Sequence, residues 1–323
     1  MSLVEQALKK ARASGATGPA TTATIPGAAP SLAPAMPPGI RGNAAESVVQ
    51  SAEATDSVHA LRVVSIDLDA LRRSGYVPPP DQEREVSEQF RHIKRPLLAR
   101  AFGRGTTPVA GGRVIMISSA LPGEGKTFCS INLARSLCLE TDSTVLLVDA
   151  DTAKPQVTRA LGQLGEPGLV DALQDENVDV ESLVCATNVP KLTILPAGRA
   201  SETAAELLGS ARMGELLQRL TSPKWPNRIV VLDSPPLLVT NEAKTLVDYA
   251  GQVVLVVRAS VTPQRAVLDA ISHLREDQFV GLLLNESDTV AGVGYGYGYY
   301  GRMYQYGRSD GEGQRGEDEH AGA

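Results

Sequence analysis

Six short runs in the middle of the chain are apolar almost throughout: Val114–Ser118, Thr144–Asp149, Leu192–Pro196, Ile229–Asp233, Val253–Val257 and Val280–Leu284. A strand that alternates apolar and polar residues has one wet face; these runs do not alternate, so both faces are covered. Between them lie stretches at about 126–140, 203–220, 241–249 and 263–277 whose apolar residues recur three and four apart. Another helix is predicted at about 82–101, bent at Pro96. Doubly covered strands separated by helices predict an α/β fold, a doubly wound and mostly parallel sheet, over residues 81–286.

The flanks have other patterns. Ser2 to Ala13 reads as an amphipathic helix: Ser2 and Glu5 have capping-box spacing, and Leu3, Val4, Ala7, Leu8 and Ala11 share a stripe. So short a helix is marginal alone and docks on a partner, docks on its own core, or stays undocked. Residues 14–80 read as a mostly disordered linker, rich in Ala, Gly, Pro, Thr and Ser at its start. Within it Leu61–Ile66 has the pattern of a short strand and Asp67–Arg73 of a helical turn, and Pro78–Pro80 mark the boundary. Residues 287–323 read as a disordered tail rich in Tyr and Gly.

Composition narrows the function classes. Aromatics are 4 % against 42 % hydrophobic residues, so the core is aliphatic. A net charge of −6 disfavours nucleic acid as a partner. The three cysteines are odd in number and form no CxxC pair, which disfavours a disulfide framework and a thiolate zinc site. His59, His92, His273 and His320 have no ligand spacing, so a metal hydrolase is unsupported. The apolar runs are about five residues long, against ~20 for a bilayer span. The expected location is cytoplasmic.

Three motifs carry the chemistry. SSALPGEGKT, Ser118 to Thr127, follows a strand and opens a helix, as a phosphate-binding loop must. Gly123 and Gly125 let the backbone turn its N–H groups to a polyphosphate, Lys126 supplies a point charge, and Thr127 offers a hydroxyl to Mg²⁺. Pro122, Glu124 and Phe128 complete the candidate nucleotide contacts. Ala120 replaces the usual first glycine, the smallest possible change. Next, the strand VLLVDAD ends in Asp149 and Asp151, which suit Mg²⁺ water ligands and the orientation of an attacking hydroxyl; a helix N-cap is the alternative for Asp151. Third, RIVVLD ends in Asp233 at the position of a Walker-B metal ligand.

In this order the motifs resemble the P-loop ATPases of the MinD/ParA group. Those carry a second lysine where this sequence has Leu121. PGEGKT is instead similar to the bacterial tyrosine autokinases, which share the fold. Glu88, Arg91 and Lys94 resemble that family's ExxRxxR helix, which implies ring-like self-association; lysine stands in place of the last arginine, with Arg95 adjacent. Six of the eight tyrosines, Tyr295, Tyr297, Tyr299, Tyr300, Tyr304 and Tyr306, lie among glycines in the tail and resemble the family's autophosphorylation cluster. MSLVEQALKKAR, SEQFRHIKRPLL, SALPGEGKTF and LPAGR are similar to the exosortase-associated subgroup, which accompanies exopolysaccharide assembly.

The resemblance implies an ATP- and Mg²⁺-dependent tyrosine kinase that modifies its own tail in a neighbouring copy. Asp149 would orient or deprotonate the tyrosine hydroxyl. Thr127 and Asp233 would hold the metal, with Asp151 behind, and Asn285 would contact adenine. The implied activator is a separate membrane protein of the polysaccharide co-polymerase type, which brings the chain to the inner face of the cell membrane. The competing reading is a MinD/ParA-like ATPase switch without protein kinase activity.

Overall fold

The computed structural model describes residues 62–286. The N-terminal helix, most of the linker and the tyrosine cluster lie outside them. All six apolar runs are strands: β2 (Val114–Ser119), β3 (Thr144–Asp149), β5 (Leu192–Leu195), β6 (Arg228–Asp233), β7 (Gln252–Arg258) and β8 (Phe279–Asn285). They run parallel in the order β5-β3-β6-β2-β7-β8. Two short strands, β1 (Val63–Val64) and β4 (Cys185–Thr187), extend the sheet beyond β5; β4 is antiparallel to β5 and β1 parallel to β4. The compact unit closes at Asn285.

The pleat sorts alternate residues to opposite faces. Ile115, Ile117, Val145 and Leu147 pack with Phe90, Leu97, Leu133 and Leu137 on one side. Met116, Leu146 and Val148 pack with Leu169, Met213, Leu217 and Leu246 on the other. The first layer contains α2 (Glu83–Phe102) and α3 (Lys126–Leu137). The second contains α5 (Leu169–Gln174), α8 (Ala211–Leu220), α9 (Asn241–Tyr249) and α10 (Gln264–Ser272).

The structure departs from the sequence reading in three places. The helix expected at 203–220 is two, α7 (Ala204–Leu208) and α8, because Gly209 caps the first and Ser210 takes an extended conformation. Residues 150–187 hold short pieces that have no predicted counterpart: α4 (Gln156–Ala160), α5, α6 (Val180–Leu183) and β4. The linker boundary at 80 falls too late, because Ile66, Leu71 and Val77 are buried in the first layer. There α1 (Leu68–Arg73) is capped by Asp67. Glu83 joins α1, α2 and α3 by pairing with Arg72 at 2.8 Å and Arg135 at 3.1 Å.

Candidate nucleotide site

The carboxyl ends of β2, β3 and β6 meet in the middle of the sheet, where a parallel α/β fold places its ligand. Asp149 and Asp233 are register partners across β3 and β6, and Ile117 of β2 faces Asp233 from the other side. The loop from Ala120 to Gly125 leaves β2 at this point and enters α3. Gly125 adopts the left-handed conformation at φ 91° as the N-cap of α3. That φ is strained for any residue with a side chain, and a Cβ there would lie 2.0 Å from Asn285 Nδ2 and displace it, so the position favours glycine. The Ala120 methyl is fully buried in the second layer, which accommodates the departure from glycine.

The acids are held by specific donors. Thr127 Oγ1 donates to Asp233 Oδ2 at 2.8 Å, and Ser130 Oγ to Asp233 Oδ1 at 2.9 Å. The Thr158 N–H donates to Asp149 Oδ2 at 2.8 Å, and the Asp151 N–H to Asp149 Oδ1 at 3.3 Å. Asp151 accepts the Lys154 N–H at 3.1 Å within a turn. It caps no helix, because α4 starts after Pro155. Ser130 and Thr158 were not singled out in the sequence. Ser130 carries a legible signal, one turn beyond Lys126 and Thr127 on the same helix; Thr158 carries none.

Burial sets the proton affinities. Asp149 is fully buried, and desolvation followed by the charge of Asp233 pushes it well above the ordinary carboxylate range. Burial also raises Asp233, to about 6, against the hydrogen bonds from Thr127 and Ser130 and the charge of Lys126. Asp151 is raised by burial as well. Nearly buried Lys126 is thus a cation facing acids that resist ionising.

This donor set fits a hard cation, since a hydroxyl and carboxylate oxygens converge at the phosphate loop. Among the described residues no three His, Cys, Asp or Glu side chains form a metal cluster. Few protein ligands suit Mg²⁺, which keeps waters and shares phosphate oxygens.

Other candidates lie elsewhere or have other partners. The Phe128 ring packs against Phe90, with centroids 6.4 Å apart, and leaves the loop only its backbone. Asn285 Nδ2 donates to the Glu124 carbonyl at 3.0 Å. Glu88 and Arg91 are exposed on α2. Lys94 is buried: its ammonium donates to the Ser136 carbonyl at 2.8 Å and pairs with Glu140 at 2.7 Å, so its charge is satisfied inside the fold. Burial raises the Cys129 and Cys138 thiols to about 12, as befits inert core residues.

The model of the AAA domain family matches residues 112–276. The tyrosine-protein kinase YwqD of Bacillus subtilis is 31 % identical over 213 residues, covering 65 % of this chain and 85 % of YwqD. The chain belongs to the bacterial tyrosine-protein kinase family. The Salmonella typhimurium tyrosine-protein kinase Wzc is 31 % identical over 198 residues, 61 % of this chain. That match spans 27 % of Wzc, so the chain corresponds to about a quarter of this relative. Among solved structures, the VpsO kinase domain superposes with TM-score 0.53 at 27 % identity, covering 65 % of this chain and all of that domain. The BceF tyrosine kinase domain gives 0.54 at 26 % identity, covering 70 % and 91 %. Membership of this P-loop kinase family implies nucleotide binding, typically with a divalent metal. Among the described residues no helix is long and apolar enough to cross a membrane.

Proposed function

We propose that the protein is an ATP-dependent tyrosine kinase that phosphorylates the tyrosines of its own tail, Tyr295 to Tyr306, in a neighbouring copy. The observation that carries this reading is the convergence of Lys126, Asp149, Asp151 and Asp233 on one phosphate loop, in a chain that also holds six tyrosines among glycines.

Thr127 and Asp233 would hold Mg²⁺, with Asp151 reaching it through water; when bound, the ion neutralises phosphate charge. Lys126 and the first-turn N–H groups of α3 bind and orient the phosphates. Asp149 accepts the phenol proton as the tyrosine oxygen bonds to the γ-phosphorus of ATP and the bond to the β,γ-bridging oxygen breaks, releasing ADP. An ordinary phenol has a pKa of about 10, far from an ordinary carboxylate. The raised proton affinity of buried Asp149 narrows that gap. With all six tail tyrosines changed to phenylalanine, the chain should take up no label from γ-labelled ATP. Labelling at the wild-type level would place the acceptor elsewhere.

Trans-phosphorylation needs an assembly, for which we assign the exposed face of α2. Glu88 and Arg91 fit that role; Lys94 is committed internally, and exposed Arg95 takes the outer position. Each phosphate adds about −1.5 to −2 charge. Six would add roughly −9 to −12 to a chain already at −6. Repulsion should then shrink the assembly, and light scattering should give a smaller mass after phosphorylation than before. An unchanged mass would contradict this part.

The activator is assigned as a separate membrane co-polymerase of an exopolysaccharide system, with the kinase at the cytoplasmic face of the membrane. The ATPase switch is not favoured: Leu121 stands where such proteins carry lysine, and the named relatives are kinases.

A further inference from the structure

Glu124 is the one acid inside the phosphate loop, and it is 3 % exposed. A carboxylate beside a polyphosphate site would, by charge alone, repel its ligand. Its contacts indicate another role. Oε2 accepts the Leu121 N–H at 2.8 Å, which closes a ring over Pro122 and Gly123. Oε1 accepts the hydroxyl of Thr262, in the loop between β7 and α10. Thr262 Oγ1 in turn accepts the Arg258 N–H at 3.0 Å. The Glu124 carbonyl accepts from Asn285, the last residue of the compact unit, whose own carbonyl accepts the Ala259 N–H at 2.8 Å. One residue therefore joins the phosphate loop, the β7–α10 loop and the end of β8.

We infer that Glu124 is a positioning residue that shapes the phosphate loop before nucleotide arrives. This rests on the nucleotide-site reading of residues 120–127. Pro122 and Gly123 are exposed, and Gly123 has φ 79°. Without an internal tie, binding would have to order them at a cost in backbone entropy. The carboxylate takes the Leu121 amide, at the start of the loop. The first N–H groups of α3, which have no intrahelical acceptor, are left for the ligand.

Charge and positioning predict opposite signs, so two variants of the full chain decide between them. In Glu124→Gln the amide oxygen still accepts from Leu121 and the NH₂ donates to the Thr262 hydroxyl. In Glu124→Ala both ties are lost. Titration with a fluorescent ATP analogue should give Glu124→Gln within about threefold of wild type, and Glu124→Ala about tenfold to a hundredfold weaker. Hydrogen exchange of the nucleotide-free chains should show the Leu121 amide protected in wild type and Glu124→Gln and fast in Glu124→Ala. The inference is overturned if Glu124→Ala binds as well as wild type or better, or if Leu121 exchanges at one rate in all three. A wild type that binds no nucleotide while Leu121 protection still depends on Glu124 would sink the nucleotide reading and support the loop-shaping role.

Discussion

Lys126→Met should lower phosphate transfer to the tail by about two to three orders of magnitude, the usual cost of removing a preorganised charge stabiliser. Lys126 is nearly buried and lies close enough to Asp151 and Asp233 to favour their ionised forms. It is therefore already fixed in place when nucleotide arrives and pays little reorganisation at the moment of transfer. Methionine keeps most of the volume and the apolar stem and removes the charge. A second consequence follows in the nucleotide-free protein. Without Lys126 the acids lose a stabilising cation, so the variant should be less stable than wild type above about pH 6, and the gap should close at lower pH as the acids protonate. Rapid-quench transfer rates and thermal melts across pH check both parts. A transfer rate within tenfold of wild type would remove Lys126 from the chemistry.

Asp233→Asn should do the reverse to stability while also lowering transfer. Asp233 has its proton affinity raised from an ordinary 3.8 to about 6, chiefly by burial. A folded-state value above the unfolded one means that the fold holds the proton more tightly. The ionised acid thus costs stability. The cost is absent below about pH 4, grows as pH rises from the unfolded value to about 6, and is constant above that. A rise of this size corresponds to roughly 3 kcal/mol, with the attraction to Lys126 already included in it. Asparagine fits the site: both partners are hydroxyls, which can donate to its oxygen or accept from its NH₂. At pH 8 the nucleotide-free variant should melt about 5 °C higher than wild type, and at pH 4 the two should coincide. Phosphate transfer should fall at least about a hundredfold, because the carboxylate proposed to hold the metal is gone. A variant less stable at every pH would show that the hydrogen bonds to Asp233 outweigh the cost of its burial.

The contrast between these variants reflects how the site is built. Lys126 stabilises the empty site, whereas Asp233 and Asp149 destabilise it. The fold carries that cost because the residues are needed charged when ligand is present.

What the sequence disclosed follows from the range of each interaction. The six central strands were legible because burial on both faces leaves unbroken apolar runs, and the phosphate loop because its glycines, Lys126 and Thr127 fall within five residues. The pieces between Asp151 and Thr187 were not, since helices of four to six residues complete no more than about one or two turns of a periodic pattern. Lys94 was placed on the self-association helix by its spacing from Glu88 and Arg91. Its burial depends on Glu140 and the Ser136 carbonyl, which only the packing of α2 on α3 brings to it. Thr158 holds Asp149 with its backbone, a contact that leaves no side-chain signature. Phe128 was assigned to the nucleotide by adjacency, yet α3 turns its ring toward Phe90.

The central claim is phosphate transfer to the tail. The most direct test is intact-mass spectrometry of the phosphatase-treated full chain after incubation with ATP and Mg²⁺, beside Lys126→Met and repeated with the membrane activator. The account predicts additions of about 80 Da in the wild type only, mapping to Tyr295 through Tyr306. ATP hydrolysis with no added mass, even with the activator, would contradict it and leave an ATPase switch as the better description.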